Sequence, residues 1–195
     1  MPSWGWVLIA IGAVVVLGLV CWQAVERRRT RRLRGRFGPE YDRTLDASDS
    51  RREAEAELSA REERREKFDI RPLSASARAE YVENWRAVQA QFVDDPAGAV
   101  ARADGLIQSV MADRGYPVED FERRAADLSV DHPKIVGEYR EGHMLAQRSA
   151  AGRGSTEDLR QAMRHYRELF DRLVEPGEDE QDVEMREGAR ERAAR

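Results

Sequence analysis

The chain has 195 residues, which is enough for one domain with terminal segments but not for two domains of ordinary size. Cys21 is the only cysteine, which excludes an internal disulfide. Charged residues make up 36% of the sequence, yet the net charge is −4, so the chain lacks the overall basic character of a nucleic-acid-binding domain. We therefore expect no nucleic-acid partner.

An apolar run at the N-terminus predicts a membrane anchor. No charged residue occurs from Trp4 to Trp22, and a helix of that length would be about 28 Å long, close to the roughly 30 Å of a bilayer core. A cleaved signal peptide fits less well, because there is no basic segment before the run and no small-residue cleavage site after it. A lipoprotein signal also fits poorly, because Val20 precedes Cys21. The sequence predicts an uncleaved transmembrane anchor over 1–25.

A basic segment follows the apolar run over 26–38 and predicts the orientation of the anchor. Positive charge resists translocation, so the C-terminal domain is expected on the cytoplasmic side of the plasma membrane and the N-terminus outside. The same arginines would contact anionic lipid of the inner leaflet. The predicted lipid-facing residues are Arg27, Arg28, Arg29, Arg31, Arg32, Arg34 and Arg36.

The rest of the chain is predicted to form helices of two kinds. Residues 39–68 are highly charged with sparse apolar positions, which predicts a charged helical stalk, or a helix that lies against the domain, with an interruption near 46–50. Residues 69–175 carry apolar positions at helical spacing, which predicts a small cytoplasmic helical bundle. Residues 176–195 are acidic and hold no apolar cluster, which predicts a disordered tail. The predicted fold class is all-α.

Three features mark helix boundaries within 69–175. Ser74 is a good N-cap, Asp95 precedes a proline at the first helical position, and 155–158 has the pattern of a capping signal. A short helix is expected over 118–128, and a further helix is expected to open at 131–133. The clearest amphipathic stripe is Leu159, Met163, Tyr166, Leu169, Phe170 and Leu173.

Several motifs resemble a recurring family of uncharacterised bacterial membrane-anchored helical proteins. They are FVDDP (92–96), RGYPVEDFERRAADLSVDHP (114–133), Tyr139-Arg140 with His143, and TEDLRQAMRHYRELF (156–170). The resemblance covers half to two thirds of the chain. It implies the architecture of an anchor and a helical domain, and it implies no activity or site residues.

The sequence offers one polar set that could line a site: Asp131, His132, Tyr139, His143 and His165. If these side chains converge in one concave pocket, the domain could be a ligand- or metal-binding sensor or an unrecognised enzyme. On one straight helix His132 and His143 would lie about 16 Å apart, so they could not share an ion there. Ordinary polar or half-buried histidines explain the same pattern.

No residue pattern indicates a catalytic group, a cofactor site or a metal site. The acids at helix starts are explained by capping and by the helix dipole. The favoured hypothesis is a protein-interaction or scaffold module that holds an unidentified protein partner at the inner face of the membrane, and not an enzyme. The alternative is the ligand- or metal-binding sensor or enzyme described above.

Overall fold

The described part of the chain is all-α, as predicted. The computed structural model describes the backbone of residues 4–176 and the side chains of residues 16–176, and within these residues there are eight helices and no strand. The chain divides into two units, Met1–Ala60 and Arg61–Arg195. The predicted acidic tail falls almost entirely on residues 177–195, which lie outside the described residues.

The first unit holds two helices and most of a third: α1 (Trp4–Phe37), α2 (Pro39–Asp46) and α3 (Arg51–Arg65), whose last turn belongs to the second unit. α1 ends at Phe37, because Gly38 has a φ of 50° and Pro39 starts the next helix. The predicted interruption near 46–50 is also present, between α2 and α3.

The prediction of a transmembrane anchor is wrong on this structure. Among the residues whose side chains are described, no helix is both long enough and apolar enough to cross a membrane. In that part of α1 the apolar stretch is 16–25, about 15 Å of helix, and Glu26 and the arginines fill the remainder up to Phe37. The first part of the predicted anchor, 1–15, lies outside the described side chains. The predicted single-pass plasma-membrane location and cytoplasmic orientation depended on this anchor and are contradicted together with it.

The seven predicted lipid-facing arginines are all exposed on α1. Arg29 donates from Nη2 to Ser59 Oγ at 3.0 Å, and Arg34 pairs with Asp42 at 2.7 Å. These contacts give part of the cluster a role in joining helices. Contact with anionic lipid stays a prediction.

A buried carboxylate joins the three helices of the first unit. Glu55 is 3% exposed, and its Oε1 accepts hydrogen bonds from Thr30 on α1 at 2.7 Å and from Tyr41 on α2 at 2.9 Å. A buried carboxylate needs such donors because its desolvation is costly. The charged stalk predicted over 39–68 therefore contains a specific polar contact.

The second unit is built around its last helix. Its elements are α4 (Ala75–Gln91), α5 (Pro96–Asp113), α6 (Phe121–Asp131), α7 (Val136–Ala150) and α8 (Thr156–Val174). α8 packs against α4, α5 and α7, and α7 also contacts α5 and α6. The predicted stripe on α8 is its buried face, with Met163 half-buried at the margin. Burial of this apolar face contributes most of the stability of the helix.

The predicted caps on three of these helices are confirmed. Ser74 Oγ accepts from the Ala77 amide at 3.2 Å and Asp95 Oδ1 accepts from the Gly98 amide at 2.9 Å. Ser155 and Asp158 form a reciprocal capping box at the start of α8. The short helix predicted over 118–128 lies three residues further along the chain, because α6 begins at Phe121 and ends at Asp131.

Candidate ligand-binding site between three helices

The five predicted polar residues lie in three places. Asp131 and His132 line one cleft at the end of α6, and His143 on α7 lines a second cavity with Tyr139 buried beside it. His165 lies at a third place on α8, where its Nδ1 is 2.6 Å from the Glu138 carboxylate. The structure therefore brings together two pairs and does not bring together all five.

The described residues also hold no group of three or more His, Cys, Asp or Glu side chains placed to bind a metal ion.

The second cavity is the better candidate, and we call it the three-helix pocket. It has a volume of about 270 Å³ and lies between α5, α7 and the N-terminal half of α8. Small and apolar side chains form most of the wall, and five polar side chains, one of them Ser149, complete it. The apolar residues are Ala97, Val100, Ala101, Ala146, Ala150 and Leu159, and the polar ones that carry the argument are Asp104, His143, Gln147 and Tyr166.

Asp104 provides the only acidic side chain of the three-helix pocket. It is half-buried, and its Oδ2 accepts a hydrogen bond from Gln108 Nε2 at 2.6 Å. Its Oδ1 is 3.5 Å from the Tyr139 hydroxyl, which is long for an O–H donor. Among the described residues no Arg, Lys or His forms an ion pair with Asp104. A carboxylate that faces an apolar cavity without a cation favours a positively charged ligand.

Tyr139 joins this carboxylate to a buried cation. Arg124 on α6 is 4% exposed and donates from Nε to the Tyr139 hydroxyl at 2.9 Å, so the hydroxyl proton is free to point at Asp104. Burial raises the pKa of Tyr139, and the Asp104 charge raises it further, which keeps the phenol protonated. The guanidinium does not line the pocket, although its charge acts on His143 and Tyr166, so Asp104 is the charged side chain that a ligand would contact directly.

Tyr166 contributes a hydroxyl that lies close to the Asp104 carboxylate but forms no hydrogen bond of normal geometry with the described residues. The side chain is fully buried and lines the pocket. Burial raises its pKa, and the nearby Asp104 carboxylate raises it further. A buried polar group left without a partner costs about 1–3 kcal/mol. A ligand atom that paired with this hydroxyl would recover that cost.

His143 forms a flat wall of the pocket. Its ring stacks on Phe121 with the ring centres 3.6 Å apart and an angle of 8° between planes. Its Nε2 is 2.9 Å from Gln147 Nε2, and because an amide nitrogen only donates, the imidazole nitrogen accepts and the ring proton sits on Nδ1. Burial lowers the pKa of His143, so the ring is neutral at pH 7.

The lowered pKa values of His132 and His143 predict that the stability of the fold depends on pH. Burial lowers the pKa of both His132 and His143 below the usual 6.5, so protons bind the unfolded chain more readily than the folded one. Their contribution to stability is present above pH 6.5 and is lost as the pH falls towards the folded pKa values. We expect the free energy of unfolding, measured by urea titration, to fall between pH 7 and pH 5.

Replacing both histidines provides the control for that titration. The double variant H132Q/H143Q should show a clearly smaller fall in unfolding free energy over the same pH range. A fall of equal size in the variant would assign the pH dependence to other groups.

Sequence reasoning missed Asp104 as a site residue. It lies beside the buried Ala103 and three positions before the buried Ile107, so it borders the apolar face of α5. A single acid at the edge of an apolar stripe was the available signal. Tyr166 was predicted correctly as a core residue, and the sequence did not indicate that its hydroxyl would lack a partner.

Comparisons with known proteins do not identify a family. No family model matches the chain, and no match is found among curated proteins or solved structures. The resemblance to bacterial membrane-anchored helical proteins therefore stays a prediction, and the function is argued from the geometry.

Proposed function

We propose that the second unit is a binding module for a small amine with a short apolar body, and that the three-helix pocket holds it. The observation that carries the proposal is Asp104, a half-buried carboxylate on an apolar cavity with no cation paired to it in the described structure. An ammonium group would provide that charge and could donate to both carboxylate oxygens.

The apolar wall defines the rest of the ligand. Ala101 and Ala146 leave room that larger side chains would fill, and Leu159 closes one side with an aliphatic surface. A body of four to six carbons is expected to fit, since each buried methylene contributes about 0.8 kcal/mol. The neutral His143 and Gln147 add hydrogen-bonding groups without adding a second charge.

The expected affinity is low for so small a ligand. A charge-assisted hydrogen bond contributes about 1.5–3 kcal/mol, and burial of five carbons contributes about 4 kcal/mol. Association itself costs at least about 4 kcal/mol. The balance of about 1.5–3 kcal/mol corresponds to a dissociation constant of about 10–100 mM, which a titration followed by NMR can measure.

A charge test separates this proposal from general apolar binding. The full-length chain is titrated with 3-methylbutylamine and with 3-methylbutan-1-ol, which has the same carbon skeleton without the charge. We expect the amine to bind at least about tenfold more tightly than the alcohol, and Asp104→Asn to remove that preference because it deletes the charge at nearly constant shape.

The same helix provides a matched control. Asp113 also accepts a hydrogen bond from a tyrosine, at 2.6 Å from the Tyr81 hydroxyl, but it does not line the pocket. Asp113→Asn should keep the preference for the amine. Equal binding of amine and alcohol by the unmodified chain, or an unchanged preference in Asp104→Asn, would refute the proposal.

Only part of the interaction-module hypothesis favoured by the sequence remains. Its placement at the inner face of a membrane falls with the anchor, while a protein partner for the helical domain stays a prediction. The alternative from sequence, a ligand-binding module, is the one that the pocket supports, with His143 and Tyr139 retained from the predicted set and Asp104 added.

A further inference from the structure

The cleft at the end of α6, which Asp131 and His132 line, differs from the three-helix pocket in its charge. It has a volume of about 490 Å³ and lies where the ends of α5, α6 and α8 meet the segment 70–72. We call it the arginine cleft, because four of its lining residues are arginines: Arg65, Arg71, Arg114 and Arg172. It adjoins a cavity of about 290 Å³ that shares four lining residues with it and adds Lys134.

Two of the four arginines are neutralised by carboxylates of the cleft. Arg65 donates from Nε to Asp131, which also accepts a hydrogen bond from the Tyr116 hydroxyl at 2.6 Å. Arg172 donates to Glu175 at 3.1 Å. These two pairs contribute shape and local order, and their charges cancel.

Arg114 is held in place by neutral groups. Its Nη1 donates to the Leu173 carbonyl at 3.0 Å and its Nε donates to the Arg71 carbonyl at 3.3 Å. The first contact caps the C-terminus of α8. Carbonyl oxygens fix the guanidinium without cancelling its full charge, so Arg114 still presents a positive charge to the cleft.

Arg71 is the least restrained of the four. Its backbone amide donates to the Arg114 carbonyl at 2.9 Å, while its exposed guanidinium forms no hydrogen bond or ion pair with the described residues. Lys134, in the adjoining cavity, is also exposed and without such a partner there. Both side chains can therefore turn towards a ligand without breaking a contact in the described structure.

The balance of charge in the cleft is positive. Four arginines face two carboxylates, and Lys134 adds a further cation beside them. The ends of three helices oppose this with about half a negative charge each, which is less than the excess of cations. His132 adds no charge at pH 7, because burial lowers its pKa and Arg114 lowers it further.

We infer that the arginine cleft binds a phosphate group carrying two negative charges, with Arg71 and Arg114 as its principal contacts. Guanidinium groups favour phosphate because their parallel N–H donors match two phosphate oxygens. The inference is independent of the proposed amine pocket, because the two cavities share no lining residue.

The test is a titration of the full-length chain with inorganic phosphate, followed by NMR, against sodium chloride at equal ionic strength. We expect saturable shifts with phosphate at residues 70–72 and 131–132, and only small linear shifts with chloride. Arg71→Ala should weaken phosphate binding about tenfold, and Arg71→Lys should restore part of the loss because it keeps the charge without the paired donors.

Arg148→Ala is the matched control. Arg148 is also an exposed arginine, and its guanidinium forms no hydrogen bond or ion pair in the described structure, but it lies on α7 and does not line the cleft. It should bind phosphate as the unmodified chain does. Equal effects of phosphate and chloride, or equal losses in Arg71→Ala and Arg148→Ala, would overturn the inference.

Discussion

Replacing Trp85 with alanine is expected to lower the free energy of unfolding by about 3–5 kcal/mol. Trp85 on α4 is 2% exposed, and its ring stacks on Phe170 of α8 with centres 4.5 Å apart and an interplanar angle of 19°. The substitution removes this contact and leaves a cavity between two helices that pack together. Urea unfolding followed by circular dichroism measures the loss.

Trp85→Phe separates the ring from the indole N–H. The Trp85 Nε1 atom is buried without a hydrogen-bond partner in the described structure, so phenylalanine keeps a stacking ring and removes an unsatisfied donor. The expected cost is below about 1.5 kcal/mol, arising from the smaller volume. A loss below about 1 kcal/mol for Trp85→Ala would contradict the placement of this ring in the core.

Gly115→Ala is expected to destabilise the chain by about 3 kcal/mol or more. Gly115 has a φ of 92°, a conformation that costs a residue with a side chain about 1–2 kcal/mol. An added Cβ would also lie 2.3 Å from the Asp69 carbonyl oxygen, which is backbone and cannot rotate away. The turn after α5 would have to move, and with it the pairing of Arg71 to Arg114.

Gly152→Ala provides the control for this strain. Gly152 has a φ of 69°, but a Cβ there would meet no atom within 4 Å. It should therefore lose only about 1 kcal/mol, which is the conformational part alone. Equal losses in both variants, measured by the same urea titration, would show that the contact with Asp69 does not restrict Gly115.

Local signals in the sequence predicted three helix starts correctly, while α6 and α7 begin about three residues later than expected. Ser74, Asp95 and Ser155 cap helices because a short polar side chain needs only its own neighbouring amides, which the sequence places within three residues. The buried face of α8 was also predictable, because helical periodicity alone sets which side chains share a face. These features depend on no other part of the fold.

The anchor was predicted wrongly, and the five predicted polar residues lie in three places, for different reasons. The anchor was argued from an apolar run beginning at Trp4, but among the described residues no helix is both long enough and apolar enough to cross a membrane. His132 and His143 were placed on one helix, but His132 ends α6 and α7 begins at Val136. A one-helix spacing argument therefore does not apply to them.

Asp104 could not be assigned to a ligand site from the sequence. Whether an acid at the edge of an apolar stripe faces solvent or a cavity depends on where the neighbouring helices pack. α7 brings His143 and α8 brings Tyr166 to the same cavity from positions 39 and 62 residues further along the chain. Tertiary packing of this kind leaves no local pattern.

A crystal structure of the chain soaked with 3-methylbutylamine tests the central claim most directly. The proposal predicts the ammonium nitrogen within about 3 Å of the Asp104 carboxylate and the alkyl group between Ala101 and Ala146. An empty three-helix pocket at a saturating amine concentration, or an amine bound with its nitrogen away from Asp104, would contradict it.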